Sequence, residues 1–134
     1  MKIAILSLIL TLTTQSAYVQ KYSHLAKISS QKHGIPFEII MAQAILESAN
    51  GTSKLAKTKN NHFGIKKRGK YAAFKSVAAC FDAHGKIFAA SRYKECRECE
   101  DDVNCWAYQL GKSGYAVAPD YGKRLLKVIK QNKL

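Results

Sequence analysis

Gln43 and Glu47 are the only strongly polar side chains between Met41 and Ser48. Four residues apart, they stack on one face of a helix. The run around them, with Ile39, Ile40, Ala42, Ile45 and Leu46, is apolar and helix-forming. The Ser-Ala-Asn-Gly stretch ending at Gly51 stops that helix. Glu47 therefore falls in the last turn, near the negative end of the helix dipole and against apolar neighbours. Both influences disfavour ionisation and raise the carboxyl pKa. A carboxylic acid kept protonated is what acid-catalysed cleavage of a glycosidic bond requires. The same spacing fits a solvated glutamate at a helix end, and the pattern alone leaves both readings open.

Other chemistry-bearing groups carry less. Asp82 and His84 lie two apart on a helix beginning at Ser76, so they do not share a face. His84 reads as a core residue bonded to backbone, because a buried polar group must find a partner. Five of the nine acids, Glu95, Glu98, Glu100, Asp101 and Asp102, fall between Tyr93 and Asp102. They read as a solvated loop in which Asp101 or Asp102 caps the next helix. Cys80, Cys96, Cys99 and Cys105 form an even set in a small chain, which predicts two disulfides with three open connectivities. A zinc site on Cys96 and Cys99 would need a second ligand pair that does not follow. No metal and no cofactor are expected.

The elements that must position these groups follow from periodicity and punctuation. Tyr18 to His33 carries a helical face, Gly34 stops it, and Pro36 suits the first turn of the helix that bears Glu47. Ser53 caps a short helix through Leu55 and Ala56. Lys57 to Lys75 is basic and lacks a sustained period, so it reads as loop with a small hairpin around Arg68 and Gly69. From Ser76, a stripe of Val77, Cys80, Phe81, His84, Ile87 and Phe88 marks another helix. A further helix carries Val103, Trp106, Ala107 and Leu110. After Pro119 comes a last amphipathic helix whose basic face holds Lys123, Arg124, Lys127, Lys130 and Lys133.

The 134 residues make one domain with a modest core, and 22 Lys and Arg against 9 Asp and Glu give a net charge of +13. Such an excess predicts an anionic partner. Met1-Lys2, an apolar run from Ile3 to Leu12 and a small-residue exit read as a signal peptide over residues 1–17, cut after Ser16 or Ala17. The run is too short for a comfortable membrane span. The expectation is thus an exported domain over residues 18–134, periplasmic or extracellular, with no stable membrane insertion once the signal is removed. No nucleic-acid-binding module is recognisable, so a nucleic-acid partner is not expected. A monomer is.

The central stretch resembles glycoside hydrolase family 73, bacterial endo-β-N-acetylglucosaminidases that cut peptidoglycan. Ala42-Gln43 with Glu47-Ser48 matches one family block. Gly51, Ser53 and Leu55-Ala56 match a second, and Asn61 with Phe63-Gly64-Ile65-Lys66 a third. Downstream, Arg92-Tyr93, then Gly114-Tyr115-Ala116, Pro119 and Tyr121 follow in family order, whereas the family's Asp-His pair is matched only loosely by Asp82 and His84. The resemblance implies a mainly α (α+β), lysozyme-like helical domain with a small, shortened β-hairpin lobe and a sugar groove. It implies that Glu47 is the general acid and that Tyr115 faces the scissile sugar. Gln43, Ser48, Asn61, Phe63, Lys66 and Tyr121 take substrate-binding positions, and glycan strands of peptidoglycan are the partner.

The chain departs from the family pattern in one important respect. Many members carry a second carboxylate on the hairpin, yet there is no Asp or Glu between Glu47 and Asp82. A two-carboxylate mechanism lacks its second member there. The expected remedy is attack by the substrate's own acetamide oxygen, with Asp82 and Asp120 as candidate second acids. Two alternatives stand beside the glucosaminidase: a muramidase or lytic transglycosylase on the same fold, and a non-catalytic cationic wall-binding protein.

Overall fold

The structure is a computed structural model and describes residues 15–134. Most of the proposed signal segment lies outside the described residues. Of residues 15–17, Ser16 caps the first helix by accepting a hydrogen bond from the Val19 amide. That helix, α1 (Ala17–His33), ends where Gly34 takes a left-handed conformation at φ 72°.

The centre is α2 (Phe37–Ser48). Every residue from Ile39 to Ile45 is buried, as befits a helix apolar on all sides. It packs against α1 and against the last two helices, α6 (Val103–Ser113) and α7 (Tyr121–Gln131). Its stop differs slightly from the expected one. Ala49 itself takes the left-handed cap at φ 50°, and Asn50 and Gly51 continue at φ 56° and 76°. Gly51 is required there for a second reason: a Cβ would come within 3.0 Å of the Tyr18 ring.

A short helix, α3 (Lys54–Lys59), is capped by Ser53 as expected. It leads to β1 (Lys66–Lys67) and β2 (Lys70–Tyr71), an antiparallel pair with Lys66 opposite Tyr71. Arg68 and Gly69, at φ 52° and 76°, make the turn, and two consecutive positive φ values suit a tight hairpin. Then come α4 (Val77–Ile87), capped by Ser76, a 3-10 turn at Ser91–Tyr93 and α5 (Lys94–Glu98). Asp102 caps α6. The fold is mainly helical, and its β-structure among the described residues is the one hairpin. No described helix is long and apolar enough to cross a membrane.

One close crossing fixes α7. Gly111 on α6 lies near Gly122 on α7, and a Cβ on Gly122 would run into the carbonyl of Ala107. The neighbour is backbone and cannot move aside, so glycine sets the separation of the two helices and hence the position of Tyr121, the first residue of α7.

The expectation of two disulfides is corrected. Cys99 and Cys105 are bridged, with Cα atoms 5.5 Å apart, whereas Cys80 and Cys96 are buried free thiols. Each free thiol fills a core position on a different helix. The Cys80 sulfur accepts a hydrogen bond from the His62 amide, and burial pushes both thiols up to about 11, leaving them protonated and unreactive.

Candidate active site

A groove of about 910 Å³ opens at the C-terminal end of α2, and Glu47 lines it. Phe63 and Ile65, from the loop before the hairpin, contribute apolar surface, and Lys66, Lys67 and Tyr71 extend it along the hairpin. Ala83 and Ile87 of α4 line it as well. The remaining lining comes from Arg92-Tyr93 and from the loop Gly114–Val117 that follows α6. Glu47 is the sole carboxylate among these described lining residues; the charged side chains beside it are cations.

Glu47 is open to the groove, yet the surrounding protein removes enough water from its carboxyl to raise the pKa. The neighbouring Tyr121 hydroxyl opposes that shift in part. Among the described residues no cation stands within ion-pair distance of Glu47. The side chain is therefore biased toward the neutral acid, by burial first, as a proton donor must be.

Tyr115 is half-buried on the same groove and stacks on Phe88 at 5.7 Å and on Tyr121 at 5.5 Å. Burial, then the nearby Tyr121 and Glu47, push its phenol well above the ordinary value. It remains an O–H donor with a fixed ring. Arg92 holds the loop that carries it, donating to the Ser113 carbonyl at 2.8 Å while lying over the Tyr93 ring.

Phe63 and Lys66, expected at the substrate surface, do line the groove. Phe63 is also core: 4% exposed, it stacks on His84 at 3.9 Å. The other expected binding residues lie beneath that surface. Ser48 is fully buried, donating to the Ala44 carbonyl at 2.6 Å and accepting from the Gly51 amide at 2.8 Å, so it shapes the end of α2. Asn61 turns its amide mainly to backbone, with the Cys80 thiol also donating to its oxygen at 4.0 Å. Its nitrogen donates to the carbonyls of Ile65 and Ala72, and its oxygen accepts from the Ile65 amide, which ties the Phe63 loop to the hairpin. Gln43 is buried and donates to the Tyr121 hydroxyl at 3.2 Å. Tyr121 is buried too.

Neither candidate second acid reaches Glu47. Asp82 faces α1, where Lys32 and His33 sit 2.8 and 2.9 Å away, with Lys86 at 3.2 Å on its own helix. Hydrogen bonds from Lys32 and then His33 hold its carboxyl well below the usual range. Asp120 pairs with Arg124 at 3.0 Å and lines a separate cleft between α6 and α7. His84 is core, as expected, but its bond goes to the Gln43 side chain at 2.9 Å rather than to backbone.

Sequence reasoning passed over Lys67 and Tyr71. Their signal was the hairpin's brevity: with two residues per strand, its flanks must border whatever lies at its base. It also passed over the link from Gln43 to His84. A glutamine inside an apolar helix was the available clue, since such a group must find a partner.

An acid in the last turn of a buried helix, facing a groove in a helical domain with a small hairpin, defines a lysozyme-like site. The chain belongs to the glucosaminidase family of glycosidases, whose model, described as mannosyl-glycoprotein endo-beta-N-acetylglucosaminidase, matches residues 23–134. It is 27% identical over 148 residues to the exo-glucosaminidase LytG of Bacillus subtilis (strain 168), a match covering 90% of this chain and 52% of that protein. The chain thus spans about half the length of that curated relative. The peptidoglycan hydrolase from Sphingomonas sp. A1 superposes with a TM-score of 0.74 at 26% identity, covering 87% of this chain and 88% of that one. The catalytic domain of the autolysin Auto from Listeria monocytogenes shares the fold, with a TM-score of 0.77 at 21% identity over 92% of this chain and 89% of that one.

Proposed function

We propose that this chain is an exported peptidoglycan hydrolase that cleaves the wall glycan after N-acetylglucosamine, with Glu47 as its general acid. The observation that carries this reading is the placement of Glu47, a carboxyl with a raised pKa and, among the described residues, no carboxylate partner on the groove of a glucosaminidase-family domain. Glu47 gives its proton to the glycosidic oxygen as the bond to C1 breaks. The carbonyl oxygen of the sugar's own acetamide attacks C1 and closes a cyclic oxazolinium intermediate. Water then opens that ring at C1 and returns a proton to the Glu47 carboxylate, so one bond is cut and one water consumed. Tyr115 donates its phenol O–H to the acetamide or to the charge that develops on the sugar ring. Phe63 and Tyr71 offer apolar faces, and Lys66, Lys67 and Arg92 attract the anionic wall.

On this reading residues 1–17 are a leader, and the mature monomer acts at the bacterial cell wall. The test is product analysis of wall sacculi digested by the purified chain. Reducing N-acetylglucosamine ends support the proposal. Reducing muramic ends or 1,6-anhydro ends would replace it with a muramidase or a lytic transglycosylase. Equal low release by wild type and Glu47→Gln, with equal wall binding, would leave only a cationic binding protein.

A further inference from the structure

Beneath the groove a chain of buried polar side chains leads away from Glu47. The Tyr121 hydroxyl lies close enough to the Glu47 carboxyl to hold the acid's pKa down against burial. The Gln43 amide nitrogen donates to the Tyr121 oxygen at 3.2 Å, and the Gln43 carbonyl oxygen meets His84 Nε2 at 2.9 Å. Gln43 and His84 have no exposed surface, and Tyr121 is 2% exposed. The far ring nitrogen of His84, Nδ1, is buried without a partner among the described residues. These residues come from three helices, α2, α4 and α7, and the acid's hydrolytic role does not by itself call for them.

The direction of every bond follows from what each group can give. A carbonyl oxygen on Gln43 only accepts, so His84 Nε2 must carry its proton. Burial drives the His84 pKa down to about 3, which leaves the ring neutral with one N–H. That proton sits on Nε2, so Nδ1 is a bare lone pair. Reversing the Gln43 amide would place the ring proton on Nδ1 and strand an N–H donor in the core, and orphaned buried N–H groups are the rarest kind. It would also turn the Tyr121 proton toward Gln43. As found, the Tyr121 oxygen already accepts from Gln43, so its own proton is free to point at Glu47.

We infer that His84, Gln43 and Tyr121 form a one-way positioning relay that aims the Tyr121 O–H at one Glu47 oxygen and so keeps the acid's transferable proton on the other, groove-facing oxygen. This rests on the assignment of Glu47 as the general acid. The relay also steadies the carboxylate once the proton has left, and does so through neutral groups alone. His84 stacks on Phe63 at 3.9 Å, so the ring that ends the relay also backs the groove's apolar lining. Other ionisable groups face Glu47 as well: Tyr115 from the loop after α6, with Tyr93, Arg92, Lys66, Lys67 and Tyr71 along the groove. The variants below leave all of them in place.

The test combines nuclear magnetic resonance with kinetics on the intact chain. Nitrogen shifts of His84 should report the Nε2–H tautomer; an Nδ1–H ring overturns the relay. A ¹³C titration should read the Glu47 carboxyl directly in wild type and Tyr121→Phe. Loss of a hydrogen bond to the charged form should move it up by about one pH unit. An unmoved titration overturns the proposal, and neither readout depends on turnover, so the relay is judged apart from the hydrolase reading. In sacculus digestion, Tyr121→Phe should lower kcat about tenfold with little change in KM, and the alkaline limb of its profile should follow the carboxyl. Gln43→Met, of similar length, should shift the carboxyl in the same direction. In the Tyr121→Phe background it should add little, because the relay is already cut. Independent, additive losses would overturn it. Circular dichroism of each variant reports folding, and a Gln43→Met chain that does not fold leaves the Tyr121→Phe titration and the His84 tautomer to decide.

Discussion

Replacing Glu47 with Gln keeps the size and shape of the side chain and removes only its proton and its charge. An amide cannot protonate a leaving oxygen, and general acid catalysis contributes about 10²–10⁴-fold. With no second carboxylate among the described residues lining the groove to take over, kcat should fall by at least about 100-fold on that scale. KM should change little, because the contacts offered by Phe63, Tyr71 and Lys66 are intact. The same raised pKa dictates the effect on stability. A carboxyl whose folded pKa lies above its unfolded value stabilises the fold below the unfolded pKa, and that contribution is lost as pH rises through the folded one. Wherever Glu47 is ionised, its charge is a burden from burial that the neighbouring Tyr121 hydroxyl offsets only in part. The Gln variant should therefore melt no lower than wild type at pH 7, and its advantage should shrink toward pH 4. Soluble muropeptide release and thermal melts at both pH values check this. Two results would refute the reasoning: turnover above about a tenth of wild type, well short of the loss expected when a general acid is removed, or a clear drop in Tm at pH 7.

Four further outcomes follow from the packing. Asp82→Asn should leave turnover within about twofold while costing about 1 kcal/mol in denaturant unfolding, since its exposed ion pairs tie α1 to α4 and none reaches the groove. Because the Asp82 pKa is depressed, the wild type's advantage should be full above the ordinary aspartate range and fade as pH falls below it. Gly122→Ala should destabilise by about 1–3 kcal/mol, since the new methyl meets the Ala107 carbonyl and α7 must shift; an unchanged melt would contradict the crossing. Thiol titration should find no fast-reacting group in the native chain and two in denaturant, from Cys80 and Cys96. Reducing the Cys99–Cys105 bridge, which spans a sequence separation of 6, should cost about 2 kcal/mol in the chain-entropy account.

The sequence by itself determined the helical frame and the position of Glu47 in the last turn of its central helix. An apolar run with polar residues at two positions four apart reads as a helix with Gln43 and Glu47 on one side, and leaves open whether Glu47 meets a groove or bulk solvent. Caps at Ser53, Ser76 and Asp102, and the Arg68-Gly69 turn, act through bonds within a few residues, so they too are legible locally, whereas the Ser16 cap of the first helix was not read from the sequence. What tertiary structure alone decided is which polar side chains face the groove and which serve beneath it. Gln43 and Tyr121 are 78 residues apart in sequence, and Gln43 and His84 are 41 apart. Nothing in their local spacing reveals that they meet. Asp82 stayed a candidate second acid until Lys32 and His33 were seen to claim it. Cysteine pairing waited on the fold for the same reason, since a bridge forms only where chain geometry brings two sulfurs together. Period and punctuation are properties of neighbours along the chain, whereas hydrogen-bond partnership and burial belong to neighbours in space.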